Sequence, residues 1–383
     1  MRIWGLYVVL TLGVVISNKF NRADKIKKIN GTPKRLFFSV YPQMFSEGRK
    51  ETKYGKLVDD DENYVVSILT DGMHQIVSLR NYIKWKREAE KMGMLVVDDQ
   101  LRFSDVLAGF YWYVRLSIFS WRQRNESHHF KGIDVTGFLK VELLYSLSRV
   151  MRLCVLRGAF YRFFCSIDVR EFVFYPFEYP LGRLISYIIN AADPTIARIG
   201  YQMGPVSPRR LEQFMADGEG VVGPPFSENA PIPDRIMVED EEAAKLYKSV
   251  GYNNIQIMKK VFRYEHLDLL RLERREDTVL IAPGLHDGSM MLEYLLDEIE
   301  HNPEITYYLK PHPRADNHYV DRYNKLSNLK ITDQSIPDLL AKIARVVVTY
   351  SSVGLEADRL GLPVTVISIP GRVNTSPLLN RKN

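Results

Sequence analysis

Cysteine is almost absent from this 383-residue sequence. Its two cysteines, Cys154 and Cys165, lie in an apolar, basic stretch, and two residues supply neither a disulfide framework nor the ligand spacing of a zinc site. Repeats and low-complexity segments are absent as well. The 46% hydrophobic and 26% charged fractions are typical of a globular chain, and the length suffices for two domains. We therefore expect a folded protein of a reducing compartment.

A long apolar run is also lacking. Residues 3–17 carry no charge, but they are fewer than the roughly 20 apolar residues that span a bilayer. They lack the basic start and the small-residue cleavage site of a secretory signal. Five basic residues follow between positions 19 and 28 and would hold the remainder of the chain in the cytoplasm if the run crossed a membrane. We treat residues 1–30 as an apolar segment that is either buried in the first domain or associated with a membrane.

The sequence has no acidic excess. A net charge of +6 and a pI near 9.0 favour anionic partners such as nucleotides, anionic lipids or acidic glycans. Many arginines and aromatic residues are concentrated between positions 101 and 187. Core packing with snorkelling arginines is the leading interpretation, and a surface resting on anionic lipid headgroups is the alternative. No nucleic-acid reader motif accompanies these residues, so a nucleic-acid partner is not expected.

Strand-like and helix-like segments alternate in two regions, 34–99 and 277–368. The strands of the second region are continuously apolar, which predicts a parallel sheet covered by helices on both faces. Between the two regions, residues 218–233 contain four prolines and several glycines and are typical of a linker. The predicted fold is therefore α/β with two Rossmann-like domains, an N-terminal domain at 31–220 and a C-terminal domain at 234–383.

Polar residues follow three strands of the C-terminal domain. Ligands of open parallel sheets bind beyond the carboxyl ends of the strands, so these residues predict a phosphate site. Glycine in the first loop lets backbone approach a ligand, and prolines on both sides of His312 fix an imidazole that can stabilise a phosphate leaving group. The predicted nucleotide- and phosphate-binding residues are Gly284, Lys310, His312, Ser351, Ser352, Gly354 and Glu356.

The loop that holds Ser351 and Ser352 admits two interpretations. Two hydroxyls beside a helix N-terminus can hold a phosphate. A serine at this position can equally cap the helix without any ligand. One turn later, Glu356 could accept hydrogen bonds from ribose hydroxyls, or it could be a solvated helix glutamate.

These loops resemble the nucleotide-binding domain of GT-B bacterial glycosyltransferases, and they are similar to the HP and SS motifs of bacterial sialyltransferases and capsule Kdo transferases. The resemblance implies a GT-B fold with a cleft between an acceptor-side domain and a nucleotide-sugar domain. It implies that His312, Ser351 and Ser352 hold the phosphate of CMP and that Glu356 holds the ribose, with no metal and no cofactor besides the donor substrate. The segments that carry it are KPHP at 310–313, SSVGLEA at 351–357, GLPV at 361–364, NTSPL at 374–378, FEYP at 177–180 and IGYQ at 199–202.

The catalytic carboxylate is expected in the N-terminal domain. Glu178 lies between two prolines in a strand-to-helix loop, where apolar surroundings could raise its pKa towards that of a general base. Asp71, followed by glycine, is the second candidate. A surface-loop glutamate and a turn aspartate are the corresponding structural interpretations. The run of three aspartates at 59–61 is a metal candidate on paper, but we expect a solvated turn and predict no metal site.

The sequence thus supports three functional hypotheses. The leading one is transfer of a nonulosonic acid, such as Kdo or a sialic-acid-like sugar, from a CMP-activated donor to a cell-surface polysaccharide or lipopolysaccharide. The alternatives are a teichoic-acid-type glycerophosphotransferase that uses CDP-glycerol, and a non-catalytic nucleotide-binding scaffold of a surface-glycan assembly. Expected partners are the activated sugar, a glycan or glycolipid acceptor, and an anionic membrane that the protein contacts peripherally. The expected location is the cytoplasm, at the inner face of the cytoplasmic membrane.

Overall fold

The protein divides into two compact α/β units in a computed structural model. The first unit contains the described residues up to Met203, together with 232–238 and 251–257. The second contains 204–210, 239–250 and the described residues from Met258 onward. The residues that the structure describes are 2–20, 35–45, 51–59, 62–70, 78–130, 132–175, 180–210, 232–273, 275–313, 315, 318–323 and 325–380.

The first unit is built on a seven-stranded sheet of order β3-β2-β1-β6-β7-β8-β9, in which all neighbouring strands pair in parallel. A separate antiparallel hairpin is formed by β4 and β5. The strands are β1 Arg35–Phe38, β2 Asn63–Ser67, β3 Leu95–Val96, β4 His129–Phe130, β5 Ile133–Asp134, β6 Glu171–Phe174, β7 Ala197–Tyr201, β8 Arg235–Val238 and β9 Ile255–Ile257. The helices are α1 Arg2–Phe20, α2 Leu79–Lys91, α3 Phe103–Arg122, α4 Thr136–Phe164 and α5 Pro180–Ala192.

Helix α1 belongs to the core of the first unit. Tyr7, Leu10, Val14 and Val15 are buried in the same apolar cluster as the strands. The uncharged run near the N-terminus therefore forms a helix with one buried face, while Val9 and Ile16 are exposed. Membrane association of residues 1–30 stays a prediction. Within the described part of the chain, no helix combines the length and the apolar character that a membrane crossing requires.

The second unit is built on a five-stranded parallel sheet of order β12-β11-β10-β13-β14. Its strands are β10 Arg275–Ala282, β11 Thr306–Leu309, β12 Leu329–Ile331, β13 Ile343–Val348 and β14 Val364–Val366. Its helices are α6 Glu241–Ser249, α7 Gly288–His301, α8 Ile336–Leu340 and α9 Val353–Arg359.

Alternate residues of the central strand β10 are buried in two different clusters. Leu280 and Ala282 belong to one cluster, while Val279 and Ile281 belong to the other. Because successive side chains of a strand point to opposite faces, both faces of this sheet are covered. The prediction of two Rossmann-like α/β domains is confirmed. Strands β8 and β9 follow the proline-rich segment in sequence, yet they pair with the sheet of the first unit.

The aromatic, arginine-rich region forms the long helices α3 and α4, and its two parts differ. Phe160, Phe163 and Phe164 at the end of α4 are buried against the sheet, with Phe164 and Phe172 rings 4.9 Å apart. Arg162 forms an ion pair with buried Asp105, so the prediction of core packing holds for this part. It is wrong for residues 110–122 of α3, none of which is buried.

Candidate functional site

The three polar loops of the second unit begin at one edge of its sheet. Strand β10 lies between β11 and β13, and all three strands are parallel, so their carboxyl ends are neighbours. The ladder continues to the last residues of these strands, because the amide of Lys310 donates to the carbonyl of Ile281 at 3.0 Å. The structure therefore places the Gly284, His312 and Ser351 loops side by side at the edge where such sheets bind ligands.

Gly284 is close to a tyrosine ring. A Cβ at this position would lie 2.3 Å from Cζ of Tyr350, so only glycine lets the ring pack here. The amide of Gly284 donates to Oγ1 of Thr349 at 3.4 Å. These contacts join the first loop to the residues that follow β13. The predicted approach of this backbone to phosphate stays a prediction.

Gly354 has a packing reason of its own. A Cβ there would lie 2.9 Å from a methyl group of Val348 and 3.1 Å from Cδ1 of Leu378. The residue is buried at the start of α9, against the end of β13. Close packing of helix and strand accounts for a glycine at this position without a ligand.

The hydroxyls of Ser351 and Ser352 do not cap helix α9. Ser352 stands at the N-cap position with helical backbone angles (φ −63°, ψ −18°), and its side chain accepts no capping hydrogen bond. The main-chain carbonyls accept instead: that of Ser351 from Gly354 at 3.2 Å, and that of Ser352 from Leu355 at 3.0 Å. Among the described residues, neither hydroxyl has a hydrogen-bond partner. Ser351 is half-buried and Ser352 exposed, so both are available to a ligand.

Lys310 and His312 follow β11 and are half-buried. The carbonyl of His312 accepts a hydrogen bond from the amide of Ala315 at 2.9 Å, which closes a turn beyond the strand. The two residues bring an ammonium group and an imidazole to this edge of the sheet.

Glu356 has a partner that the sequence did not indicate. Nε2 of His266 lies 3.5 Å from Oε2 of Glu356. The hydrogen bond that His266 donates to the carboxylate of Glu356 is the largest cause that raises the pKa of His266. The two residues are 90 positions apart and meet because the 3-10 helix Phe262–Leu269 packs beside α9. The contact with His266 therefore orients the carboxylate of Glu356.

A cluster of charged side chains surrounds Tyr264 in the same 3-10 helix. The guanidinium groups of Arg263 and Arg359 lie 4.4 and 4.1 Å from the centre of its ring. Arg263 also donates to Glu239 at 2.6 Å, and both of these side chains are largely buried. Burial raises the pKa of Tyr264 to about 12, so its hydroxyl stays protonated at physiological pH.

A second pair that sequence reasoning missed lies at the start of α7. Asp287 is 2% exposed, and its Oδ1 accepts no hydrogen bond from any residue that the structure describes. The hydroxyl of Tyr319 is likewise buried and without a partner among those residues. Burial and then the charge of Asp287 raise the pKa of Tyr319. Unsatisfied buried oxygens are costly, so these two atoms are candidates for contacts with a substrate.

The loop that follows β14 is tied down by its own side chains. Nδ2 of Asn374 donates to the carbonyl of Ile367 at 2.8 Å, and its Oδ1 accepts from the amide of Ser376 at 2.8 Å. Arg372 donates to the carbonyl of His286 at 3.1 Å, which joins this loop to the one after β10. The NTSPL segment thus has a structural role at this edge of the sheet.

In the first unit, the predicted catalytic residues Glu178 and Asp71 lie outside the described residues. Their loops follow β6 and β2, which are the two neighbours of β1 in the sheet. The turn that leads to Asp71 is held by Asp98, a fully buried carboxylate that accepts from the amides of Leu69 at 2.7 Å and Thr70 at 3.0 Å. Burial raises the pKa of Asp98.

Glu51 is the buried carboxylate that the structure describes beyond β1 and β6. Its Oε1 accepts from the hydroxyls of Ser39 at 3.0 Å and Tyr175 at 2.9 Å, and its Oε2 accepts from the amides of Lys53 at 2.7 Å and Tyr54. Burial raises its pKa in spite of these four hydrogen bonds. The rings of Tyr54 and Tyr175 stack on each other, with their centroids 5.2 Å apart. Glu51 has all its partners within the protein.

Among the described residues, no three or more His, Cys, Asp or Glu side chains are grouped as metal ligands. Two of the three aspartates at 59–61 lie outside those residues.

Neither a protein-family model nor a curated protein matches the sequence. Solved structures are similar over most of the chain. MurG of Acinetobacter baumannii has 10% identity and a TM-score of 0.45, covering 91% of this chain and 83% of that one. The glycotransferase of kitacinnamycin has 12% identity and a TM-score of 0.48 over the same shares. The wall teichoic acid polymerase TagF has 12% identity and a TM-score of 0.38, covering 100% and 88%. At these identities the likeness concerns the fold alone.

Proposed function

We propose that the protein is a GT-B-type glycosyltransferase that uses a nucleotide-activated sugar. The observation that carries this proposal is the pair of hydroxyls of Ser351 and Ser352, which the protein leaves without a partner among its described residues. They stand one strand away from the loop of β10 and two strands away from Lys310 and His312. Hydroxyl, ammonium and imidazole groups together are a donor set for phosphate.

The donor set matches the chemistry of a leaving nucleotide. When the bond between the sugar and the phosphate breaks, negative charge develops on the phosphate oxygens. Lys310 and His312 would stabilise that charge, and the hydroxyls of Ser351 and Ser352 would donate hydrogen bonds to it. Glu356, oriented by His266, would accept from the ribose. In this proposal the protein's own groups stabilise the leaving group, with no metal and no further cofactor.

The best-fitting donor is a CMP-activated nonulosonic acid such as Kdo or a sialic-acid-like sugar, and the acceptor is a cell-surface polysaccharide or lipopolysaccharide. This choice rests on the KPHP and SSVG segments. Glu178, or Asp71 in second place, would take the proton of the acceptor hydroxyl as general base. The proposed place of action is the cytoplasm, at the inner face of the cytoplasmic membrane.

Calorimetric titration with CMP, CDP and UDP tests the nucleotide site. We expect CMP to bind to the wild type, and His312→Ala and the double variant Ser351→Ala/Ser352→Ala to bind it about 10 to 100 times more weakly, since hydrogen bonds to charged groups are lost. Ser249→Ala is the matched control, because Ser249 is an exposed serine whose hydroxyl bonds to its own helix. Circular dichroism of each variant is the control for correct folding. A preference for UDP, or CMP binding that the substitutions leave unchanged, contradicts the proposal.

Donor turnover separates the transferase from its alternatives. Sugar transfer from CMP-activated donors supports the leading proposal. Transfer of glycerol phosphate from CDP-glycerol would identify the teichoic-acid-type enzyme, which needs the same phosphate-binding loops. CMP binding without any turnover would identify a scaffold.

A further inference from the structure

Helices α3 and α4 leave the core of the first unit together. At Gly109 the two helices touch: a Cβ there would lie 2.9 Å from Cγ2 of Val155 and 3.0 Å from the carbonyl of Met151. Beyond this point none of the described side chains of 110–122 and 136–150 is buried. We call residues 110–150 the helical arm.

The outer surface of the helical arm is apolar. Six large side chains in the helices of the arm are each more than half exposed: Phe110, Tyr111, Trp121, Phe138, Leu144 and Tyr145. Single exposed apolar residues are normal on a protein surface, but a continuous set on two adjacent helices marks an interaction surface.

The exposed apolar side chains are not needed for the packing of α3 against α4. The half-buried positions of the arm recur at helical spacing, at 113, 116, 117 and 120 in α3 and at 139, 143, 147 and 150 in α4. They form one stripe on each helix, as expected for a helix pair. The residues named above lie outside the stripes. In α3, further exposed apolar side chains continue around the helix, at Trp112, Val114, Ile118 and Phe119. Association with a second copy through a coiled-coil seam would need one further narrow stripe instead.

The charges of the arm indicate which partner covers it. Its sequence contains six Lys or Arg residues and three Asp or Glu residues. Several arginines lie over aromatic rings: the guanidinium of Arg115 is 5.2 Å from the ring of Trp112, and that of Arg124 is 4.8 Å from the ring of Trp121. Aromatic side chains that carry a cation beside them suit the boundary between lipid headgroups and acyl chains, where rings are buried and guanidinium groups meet phosphates.

We propose that the helical arm docks the protein on a bilayer of anionic phospholipids. The exposed aromatic and aliphatic side chains enter the headgroup region, and the arginines pair with lipid phosphates. No helix in the described part of the chain spans a membrane, so the contact is peripheral. This proposal rests on the first unit alone and does not depend on which group the protein transfers.

Flotation with vesicles tests the docking surface. We expect the full chain to float with phosphatidylcholine vesicles that contain phosphatidylglycerol, to float less with pure phosphatidylcholine, and to be released from the anionic vesicles by salt. Tyr111→Ser/Trp121→Ser should reduce the bound fraction at least tenfold. The matched control is Leu269→Ser/Tyr294→Ser, which removes two exposed apolar side chains of the second unit, 83% and 61% exposed, and should float like the wild type.

Two outcomes overturn the proposal. In one, the wild type does not float, or the arm variant floats as well as the control. In the other, sedimentation shows a dimer that the arm variant dissociates while vesicles capture neither protein, so a second copy covers the arm. Tryptophan fluorescence provides an independent check, since anionic vesicles should shift the emission to the blue. The shift should vanish in Trp112→Phe/Trp121→Phe, which keeps Trp4 and Trp85.

Discussion

The buried carboxylates of the first unit and the serine hydroxyls of the second stand at equivalent places, the carboxyl ends of parallel strands. Glu51 accepts four hydrogen bonds from within its own unit. The hydroxyls of Ser351 and Ser352 form none with a described residue. The first arrangement stabilises the loops, whereas the second leaves donors for a ligand. A position at the end of a strand therefore does not by itself make a polar residue part of a binding site. The residue can bind a ligand only if its polar atoms are not already bonded within the protein.

Removal of the Glu51 carboxylate should have the largest effect on stability. Glu51→Ala leaves two hydroxyls and two amides without their buried acceptor, and unsatisfied groups of this kind cost about 1–3 kcal/mol each before relaxation. We expect the free energy of unfolding to fall by about 3 kcal/mol or more, measured by urea denaturation. Thr52→Ala is the control, because its exposed hydroxyl bonds only to the carbonyl of Met44. A loss below about 1 kcal/mol would mean that Glu51 is not the stabilising centre of this loop.

Much of the fold follows from the sequence because parallel strands are apolar throughout. Val346, Val347 and Val348 are buried on both faces of the second sheet, and their run in the sequence already indicates such a strand. The order of strands and helices then places the loops that follow them at one edge. Neither inference needs any knowledge of side-chain contacts.

Side-chain roles at the site were harder to predict, since they depend on neighbours far away in sequence. Gly354 stays a predicted phosphate-binding residue, and its packing against Val348 and Leu378 could not be predicted from the loop alone. His266 lies 90 positions before Glu356, and no local pattern connects the two. Exposure of the arm was the alternative interpretation and core packing the leading one, for a related reason: an all-round apolar helix predicts burial, and the sequence does not show that residues 110–122 extend beyond the core.

A pair of serines sharpens the comparison within one unit. Ser335 caps α8 by accepting a hydrogen bond from the amide of Asp338 at 3.3 Å, whereas Ser352 stands at the same position of α9 without such a bond. Ser335→Ala should therefore lower the free energy of unfolding by about 1 kcal/mol, and Ser352→Ala should change it by less than about 0.5 kcal/mol. Urea denaturation of the two variants measures the difference. Equal losses would show that Ser352 is a capping residue and would remove the main argument for a phosphate site.

The smallest expected effect concerns the pair of His266 and Glu356. Because the folded-state pKa of His266 is raised, the pair stabilises the protein fully below the unfolded pKa of about 6.5, and this contribution is lost as the pH rises through the folded pKa. The histidine side chain is 42% exposed, so solvent screening limits the gain to a few tenths of a kcal/mol. In Glu356→Gln, NMR titration should show the pKa of His266 moving down towards its ordinary value. If the titration is unchanged, the carboxylate does not bond to the histidine, and His266 does not orient Glu356.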